Sequence, residues 1–401
     1  SSQPALARQA RSGTLAYEMQ TALADRADRG STPDSQAMLF MSGGGQHGAF
    51  GAGFLHGWQR QRGSLPPFAV VTGISTGSIL ATFAFIGDSE AAVRGYTIES
   101  ERQLLTPYLK TPEGKIGAQT GITLLRKGAI ANLAPLRIRL SEAITDEMLS
   151  AVARGASDHR KLYVGAVDVD SGEAIAFDLT ELASRWAAQT QDTEKARLRG
   201  CYVEAIIASS SAPIAAPPVF IDNRMYVDGG ARFGVFSQEI GGVVADNVQD
   251  GMRNAGLAAR RRSSPTSYVI INGTQKISAL CPTDQCTADP PQNSLPTSTH
   301  RTWNFLDLAL RSQDILANQI YRFSAEKIAS DSDGARHFRL AKIDDDMLDF
   351  EWAATGGDAT KHSCRYWRDD DGAKLKPLQF YPHYMRCLIA YGEATALKAG
   401  W

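Results

Sequence analysis

The chain has 401 residues, 43% hydrophobic and 21% charged, a globular composition with room for one large α/β unit or two ordinary ones. Its 42 basic and 43 acidic side chains leave a formal charge of −1, which excludes the basic surplus of a dedicated nucleic-acid binder. No apolar run approaches the roughly 20 residues that a membrane-spanning helix needs; the most apolar segment, 79–86, reads as a core helix.

Residues 1–36 are polar and rich in Ala and Arg, with Leu15, Met19 and Leu23 at helical spacing. They read as a short amphipathic arm, ended by the Gly-Ser-Thr-Pro-Asp break at 30–34 and packed on a catalytic unit over 37–401. The continuous apolar run 37–41 predicts a central parallel strand. It leads into Ser42-Gly43-Gly44-Gly45-Gln46-His47-Gly48 and then a helix over 49–61, whose Gly51, Ala52 and Gly53 allow close packing on the sheet. After a turn at 63–67, residues 68–72 predict a second strand. Gly73-Ile74-Ser75-Thr76-Gly77 closes it and opens a helix over 76–86. This strand–loop–helix–strand–turn–helix order implies a parallel sheet with right-handed crossovers. Further strands are expected at 162–169, 174–178 and 267–272, a hairpin over 219–227 turned at Asp222-Asn223, and helices at 202–209, 303–328 and 384–398. Segments 107–122, 278–300 and 355–376 are charged or rich in Gly and Pro and read as long loops. No internal repeat or inter-domain linker is visible.

Two segments carry chemistry on their own residues. Gly43 to Gly48 offers bare backbone N–H groups that can gather round an anion. It also satisfies G-x-G-x-x-G, the dinucleotide fingerprint, but that reading needs an acidic residue about 20 positions on to hold the ribose. Between Phe54 and Gly87 there is no Asp or Glu, so it fails. Ser75 has glycines at −2 and +2, the pattern of a strained strand-to-helix turn with an exposed hydroxyl. The plainer alternative for Ser75 is a helix N-cap. A nucleophilic serine needs a base, and histidine is the usual one. None of the seven histidines, His47, His56, His159, His300, His337, His362 and His383, sits in a convincing strand-end setting. The better candidate is Asp228 in Tyr226-Val227-Asp228-Gly229-Gly230, although an isolated Asp-Gly is ordinarily only a turn.

Together these segments resemble the patatin-like phospholipase family, which carries a glycine-rich oxyanion loop, a G-x-S-x-G elbow and a D-G-G or D-G-A motif in this order. Here they are Gly43 to Gly48, Gly73 to Gly77 and Asp228 to Gly230. Ala208-Ser209-Ser210-Ser211-Ala212-Pro213 and Pro217-Pro218-Val219 add to the likeness, which runs from about Met38 to Phe236 and loosens beyond it. The resemblance implies a three-layer α/β/α fold with a mostly parallel sheet. It implies a lipid acyl hydrolase of phospholipase A type with a Ser75–Asp228 dyad and an acyl-enzyme. The oxyanion would lie on Gly43, Gly44, Gly45 and Gln46, with His47, Gly48, Gly73, Gly77, Gly229 and Gly230 supporting the motifs. The family loop usually has Arg or Lys where His47 stands, so the loop's fixed charge is in question. The alternatives are a carboxylesterase or thioesterase acting on soluble esters, and an inactive lipid-binding protein. A desolvated Asp228 within hydrogen-bond reach of Ser75 is the geometric expectation.

No cofactor, metal or nucleic-acid partner is expected; the partner is a lipid or ester substrate, with room for peripheral membrane contact, and the oligomeric state is left open. Cys201, Cys281, Cys286, Cys364 and Cys387 lack zinc spacing. Pairing of Cys281 with Cys286 and of Cys364 with Cys387, leaving Cys201 as a buried thiol, would suit an oxidising compartment. Export is therefore expected, with reduced cysteines in a cytoplasmic enzyme as the alternative.

Overall fold

The computed structural model describes residues 8–9, 37–108, 128–232, 234–235, 266–274, 305–331, 337–354 and 360–401. The predicted arm helix and the Cys281/Cys286 pair lie outside these residues, as does most of 107–122 and all of 278–300. Eight strands build the main sheet: β1 (Met38–Met41), β2 (Val70–Ile74), β3 (Lys161–Asp168), β4 (Ala174–Asp178), β5 (Val219–Ile221), β6 (Arg224–Asp228), β7 (Ser267–Thr274) and β8 (Phe338–Ile343). Their central order is β4-β3-β2-β1-β7-β8, with Arg8–Gln9 added outside β4. The pairs β3/β2, β2/β1, β1/β7 and β7/β8 are parallel; β4 and the β5/β6 hairpin join antiparallel.

The helices in chain order are α1 (Gly48–Arg62), α2 (Thr76–Ile86), α3 (Ser89–Tyr96), α4 (Ala134–Ala143), α5 (Asp146–Ser157), α6 (Leu179–Ala187), α7 (Asp192–Ser210), α8 (Phe305–Asp331), α9 (Cys364–Lys374) and α10 (Pro382–Ala399). Strand side chains alternate between faces, and the two cores follow that alternation. Leu39 and Met41 of β1, with Val71, Leu162, Val164 and Ile270, join the larger core with α1, α2, α7 and α10. Met38 and Phe40, with Val70, Ile74, Val269 and Ile271, form a smaller core on the other face, against which Tyr321 of α8 packs. Helices thus cover both faces of a mostly parallel sheet, as the sequence predicts.

The chain's last helix is part of the larger core. A Cβ at Gly53 of α1 would overlap the Ile389 carbonyl of α10, so the glycine permits backbone contact between these helices rather than with the sheet. Trp401 then closes on Phe54 at 4.6 Å and Trp58 at 5.1 Å between ring centroids, within the range of favourable aromatic pairing.

Several expectations shift. The second strand runs 70–74, so it carries Gly73 and Ile74 up to Ser75. The helix expected at 202–209 begins ten residues earlier, because its exposed first half is polar and shows no apolar periodicity. Segment 355–376, read as a loop, contains α9. Cys364, Trp367 and Asp371 form its inward stripe, and a charged residue at the third position hides the helical pattern. The Cys364–Cys387 disulfide is present, with Cα atoms 5.6 Å apart. Cys201 is half-buried rather than buried, and burial pushes its thiol pKa up.

Candidate active site

Strand β2 ends at Ser75, whose φ of 53° and ψ of −123° lie in a region that non-glycine residues rarely adopt. Such a residue costs on the order of 1–3 kcal/mol and persists only when its surroundings hold it. Three serines do so. Ser75 N–H donates to Ser209 Oγ at 3.0 Å, and the Ser75 carbonyl accepts from Ser78 Oγ at 2.6 Å and Ser210 Oγ at 3.2 Å. Ser209 Oγ itself donates to the Gly165 carbonyl of β3 at 2.6 Å. The flanking glycines are close-approach positions: a Cβ at Gly77 would stand 2.5 Å from the Met41 carbonyl oxygen and 2.6 Å from that of Ser42. Ser75 therefore sits at the N-cap of α2, where the helix dipole favours developing negative charge.

Asp228 reaches this serine through the sheet register. β2 pairs with β3 up to Ile74↔Gly165. β6 then takes the next positions of β3, Ala166↔Asp228 to Asp168↔Tyr226. Residues 166 and 167 also pair with β4, so β6 must occupy the edge that β2 vacates at the elbow. The last residue of β6 thus meets the first residue beyond β2. Asp228 is 4% exposed, and its carboxyl is near enough to the Ser75 side chain for that hydroxyl to lower its pKa. Gly230 N–H donates to Asp228 Oδ1 at 2.7 Å, and Asp228 N–H donates to the Ser211 carbonyl at 2.9 Å. Burial pushes the Asp228 pKa up to about 6, against the smaller lowering effects of the Ser75 side chain and the Gly230 N–H. Gly229 lies against the Gly165 carbonyl and Ile74, sealing the same junction.

The glycine loop folds over the elbow. A Cβ at Gly43 would sit 3.1 Å from Ser75 Cβ and 2.9 Å from the Tyr321 hydroxyl. Gly44 has φ +150° and its Cα lies on the Asn272 carbonyl of β7, where any side chain would collide. Asn272 pins the loop's base: its N–H donates to Ser42 Oγ and its Nδ2 to the Ser42 carbonyl, both at 2.8 Å. Residues 45–47 form a 3-10 turn. Among the described residues no acceptor takes the N–H groups of Gly44 and Gly45. The Gln46 side chain is otherwise engaged, its Oε1 accepting from Tyr381 N–H at 3.2 Å. Gly48 packs under the loop on Thr76 and Tyr96.

His47 is half-buried. Its Nδ1 lies 3.2 Å from the Gly44 carbonyl and its Nε2 3.4 Å from the Tyr384 hydroxyl. Removal from water lowers its pKa below the usual histidine value; the Gly44 carbonyl opposes this, and the Arg368 charge adds to it. The loop therefore carries a neutral imidazole at neutral pH rather than a fixed cation. Among the described residues no imidazole bonds to Ser75. His56 faces Ser89 and Glu393, and His383 pairs with Asp371.

All the sequence-predicted positions thus lie at one junction of β1, β2, β3 and β6. Sequence reasoning did not assign Ser209, Asn272 or the segment 379–384. Ser209 was visible as a serine cluster ending an apolar helix, and Asn272 as a polar residue in an apolar strand. Nothing local marks Tyr381 or Tyr384. Among the described residues no three side chains are grouped to hold a metal ion, and no helix is long and apolar enough to cross a membrane.

Residues 39–237 match the family described as patatin-like phospholipase. Among solved structures, the chain is similar to VipD from Legionella pneumophila, with 13% sequence identity, a TM-score of 0.32, and coverage of 75% of this chain and 68% of that one. No curated protein matches the chain.

Proposed function

Residues 39–237 are a patatin-like phospholipase domain, and from that premise we propose that the chain is a serine acyl hydrolase that cleaves phospholipid acyl esters through Ser75 and Asp228. One observation carries it: the sheet register brings a buried carboxyl next to a serine held in a strained strand-to-helix turn. Ser75 Oγ attacks the ester carbonyl carbon while its proton passes to the Asp228 carboxylate. The N–H groups of Gly44 and Gly45 receive the oxyanion. The bond to the leaving alcohol breaks, the alcohol takes the proton from Asp228, and the acyl group stays on Ser75. Water then attacks the acyl-enzyme, giving one proton to Asp228, which returns it to Ser75 Oγ as the acid departs.

Burial suits Asp228 to this work. An ordinary aspartate is too weak a base at neutral pH, and a carboxyl near 6 is better matched to it. The lipid character of the substrate is supported by the family alone. An oxidising compartment is part of the proposal, supported by the Cys364–Cys387 bridge.

The test is to treat the protein with a fluorophosphonate, map the labelled residue, and identify products from defined phospholipids by mass spectrometry. Labelling of Ser75 with release of fatty acid and lysophospholipid is expected. Labelling elsewhere would remove Ser75 from the nucleophile's place. Turnover of soluble esters with no response to vesicles would move the substrate class to soluble esters.

A further inference from the structure

A segment beyond the family-matched span touches three successive residues of the glycine loop. The Gln379 amide lies beside Gly45, where a Cβ would stand 2.6 Å from its Nε2. Tyr381 N–H donates to Gln46 Oε1, and the Tyr384 hydroxyl meets His47 Nε2 with the two rings edge to face at 6.1 Å. The segment is itself held firmly. The Glu101 carboxylate accepts from the N–H groups of Leu378, Gln379 and Phe380 at 2.7–2.9 Å. The buried Asp371 carboxylate accepts from those of His383 and Tyr384 at 2.8 and 3.1 Å. The disulfide ties α9 to α10.

We propose that Tyr384 is a positioning residue for the oxyanion loop, acting through the His47 imidazole on the Gly44–Gly45 peptide; this rests on the reading of that loop as the oxyanion site. A neutral imidazole has one N–H and one lone pair. Because Nδ1 faces a carbonyl, Nδ1 must carry the hydrogen, and Nε2 then presents its lone pair to Tyr384. The tyrosine has one hydrogen to give. Its competing acceptor is Met347 Sδ at 3.6 Å, and a thioether is a weak acceptor. The hydroxyl therefore reinforces the Nδ1–H tautomer that the Gly44 carbonyl favours.

The Gly44 carbonyl thereby receives two donors, His47 N–H at 3.0 Å and His47 Nδ1–H at 3.2 Å. The peptide is planar and trans, so fixing its carbonyl aims the Gly45 N–H in the opposite direction. Glycines on both sides give the peptide no Cβ to resist rotation. Its orientation has to be imposed from outside, and Tyr384 supplies the outermost restraint. Without that hydroxyl the choice of tautomer rests on the Gly44 carbonyl alone, and any Nε2–H form turns a lone pair on that carbonyl and leaves it one donor, the His47 N–H.

The experiment compares wild type, Tyr384→Phe and the control Met347→Leu by imidazole 15N NMR of His47 and by steady-state hydrolysis of a nitrophenyl ester. Wild type and Met347→Leu are expected to hold the Nδ1–H tautomer with equal kcat. Tyr384→Phe is expected to show mixed tautomers and a kcat about tenfold lower with KM within twofold, less than the 100-fold or more that accompanies loss of a whole oxyanion donor. An unchanged tautomer or unchanged kcat in Tyr384→Phe overturns the proposal. So does an equal loss of kcat in Met347→Leu, which would mark a packing effect. If a fluorophosphonate fails to label Ser75 in wild type, the hydrolase reading falls instead, and the tautomer measurement still decides the relay.

Discussion

Replacing Asp228 by Asn should abolish hydrolysis and, at neutral pH, make the protein more stable. The carboxyl is 4% exposed and its pKa is raised from 3.8 to about 6. A shift of about two units at 1.36 kcal/mol per unit corresponds to about 3 kcal/mol. A carboxyl with a raised folded-state pKa favours the fold while it is protonated, below about pH 4. That advantage is lost as pH rises through about 6, where the folded protein must carry a desolvated charge. Asparagine stays neutral throughout. It keeps the bond from Gly230 N–H, which its Oδ1 can accept, and its Nδ2 can act as a donor toward Ser75. The stability difference between Asp228→Asn and wild type should therefore grow by about 3 kcal/mol between pH 4 and 7.5 and be flat above that. Urea unfolding followed by circular dichroism at a series of pH values measures it, with the pH 4 difference serving as the reference for everything unrelated to ionisation. A difference that stays constant across this range, or one that favours wild type as pH rises, would refute the idea that Asp228 is held against its solvation preference for the sake of chemistry.

The same carboxyl has to be ionised to accept the Ser75 proton, so kcat/KM should climb with pH and level off, with a midpoint near 6 read from a pH–rate profile. Ser209→Ala leaves the Ser75 N–H and the Gly165 carbonyl without their shared partner; at roughly 1–3 kcal/mol for each stranded group, denaturation should report a loss of about 3 kcal/mol together with a lower kcat. Gly44→Ala drives a methyl into the Asn272 carbonyl, and nitrophenyl ester turnover should fall at least about 100-fold while Ser75→Ala removes it altogether. Reduction of Cys364–Cys387, which are 23 residues apart, should lower unfolding stability by about 3 kcal/mol in the loop-entropy description, measurable by thermal scans with and without reductant.

Much of the fold was legible because local rules and tertiary demands agree. The hairpin turn at Asp222-Asn223 has positive φ at both residues, the conformation that Asx residues tolerate and that two-residue hairpins require. The runs 37–41 and 267–272 are apolar on both faces because both faces are covered. Legibility failed where tertiary contacts overrule local pattern. Helix α9 carries Asp371 on its inward stripe because that carboxylate caps α10, which no periodicity can reveal. His47 stood where a cation was looked for, and its lowered pKa follows from burial and from the charge of Arg368, far along the chain.

The order of residues by itself determined which groups bear chemistry and what turns they occupy: a serine between glycines, a run of bare amides, an aspartate ahead of two glycines. Those are local conformational facts, set within a few residues by sterics and hydrogen-bonding capacity. Only the tertiary structure decided that β6 takes over the edge of β3 where β2 departs, bringing a carboxyl 153 positions away onto the serine. It also decided how dry that carboxyl is, and that the chain's last helix returns to brace the glycine loop. Distance through space and exclusion of water depend on the packing of the whole chain, and no short segment contains them.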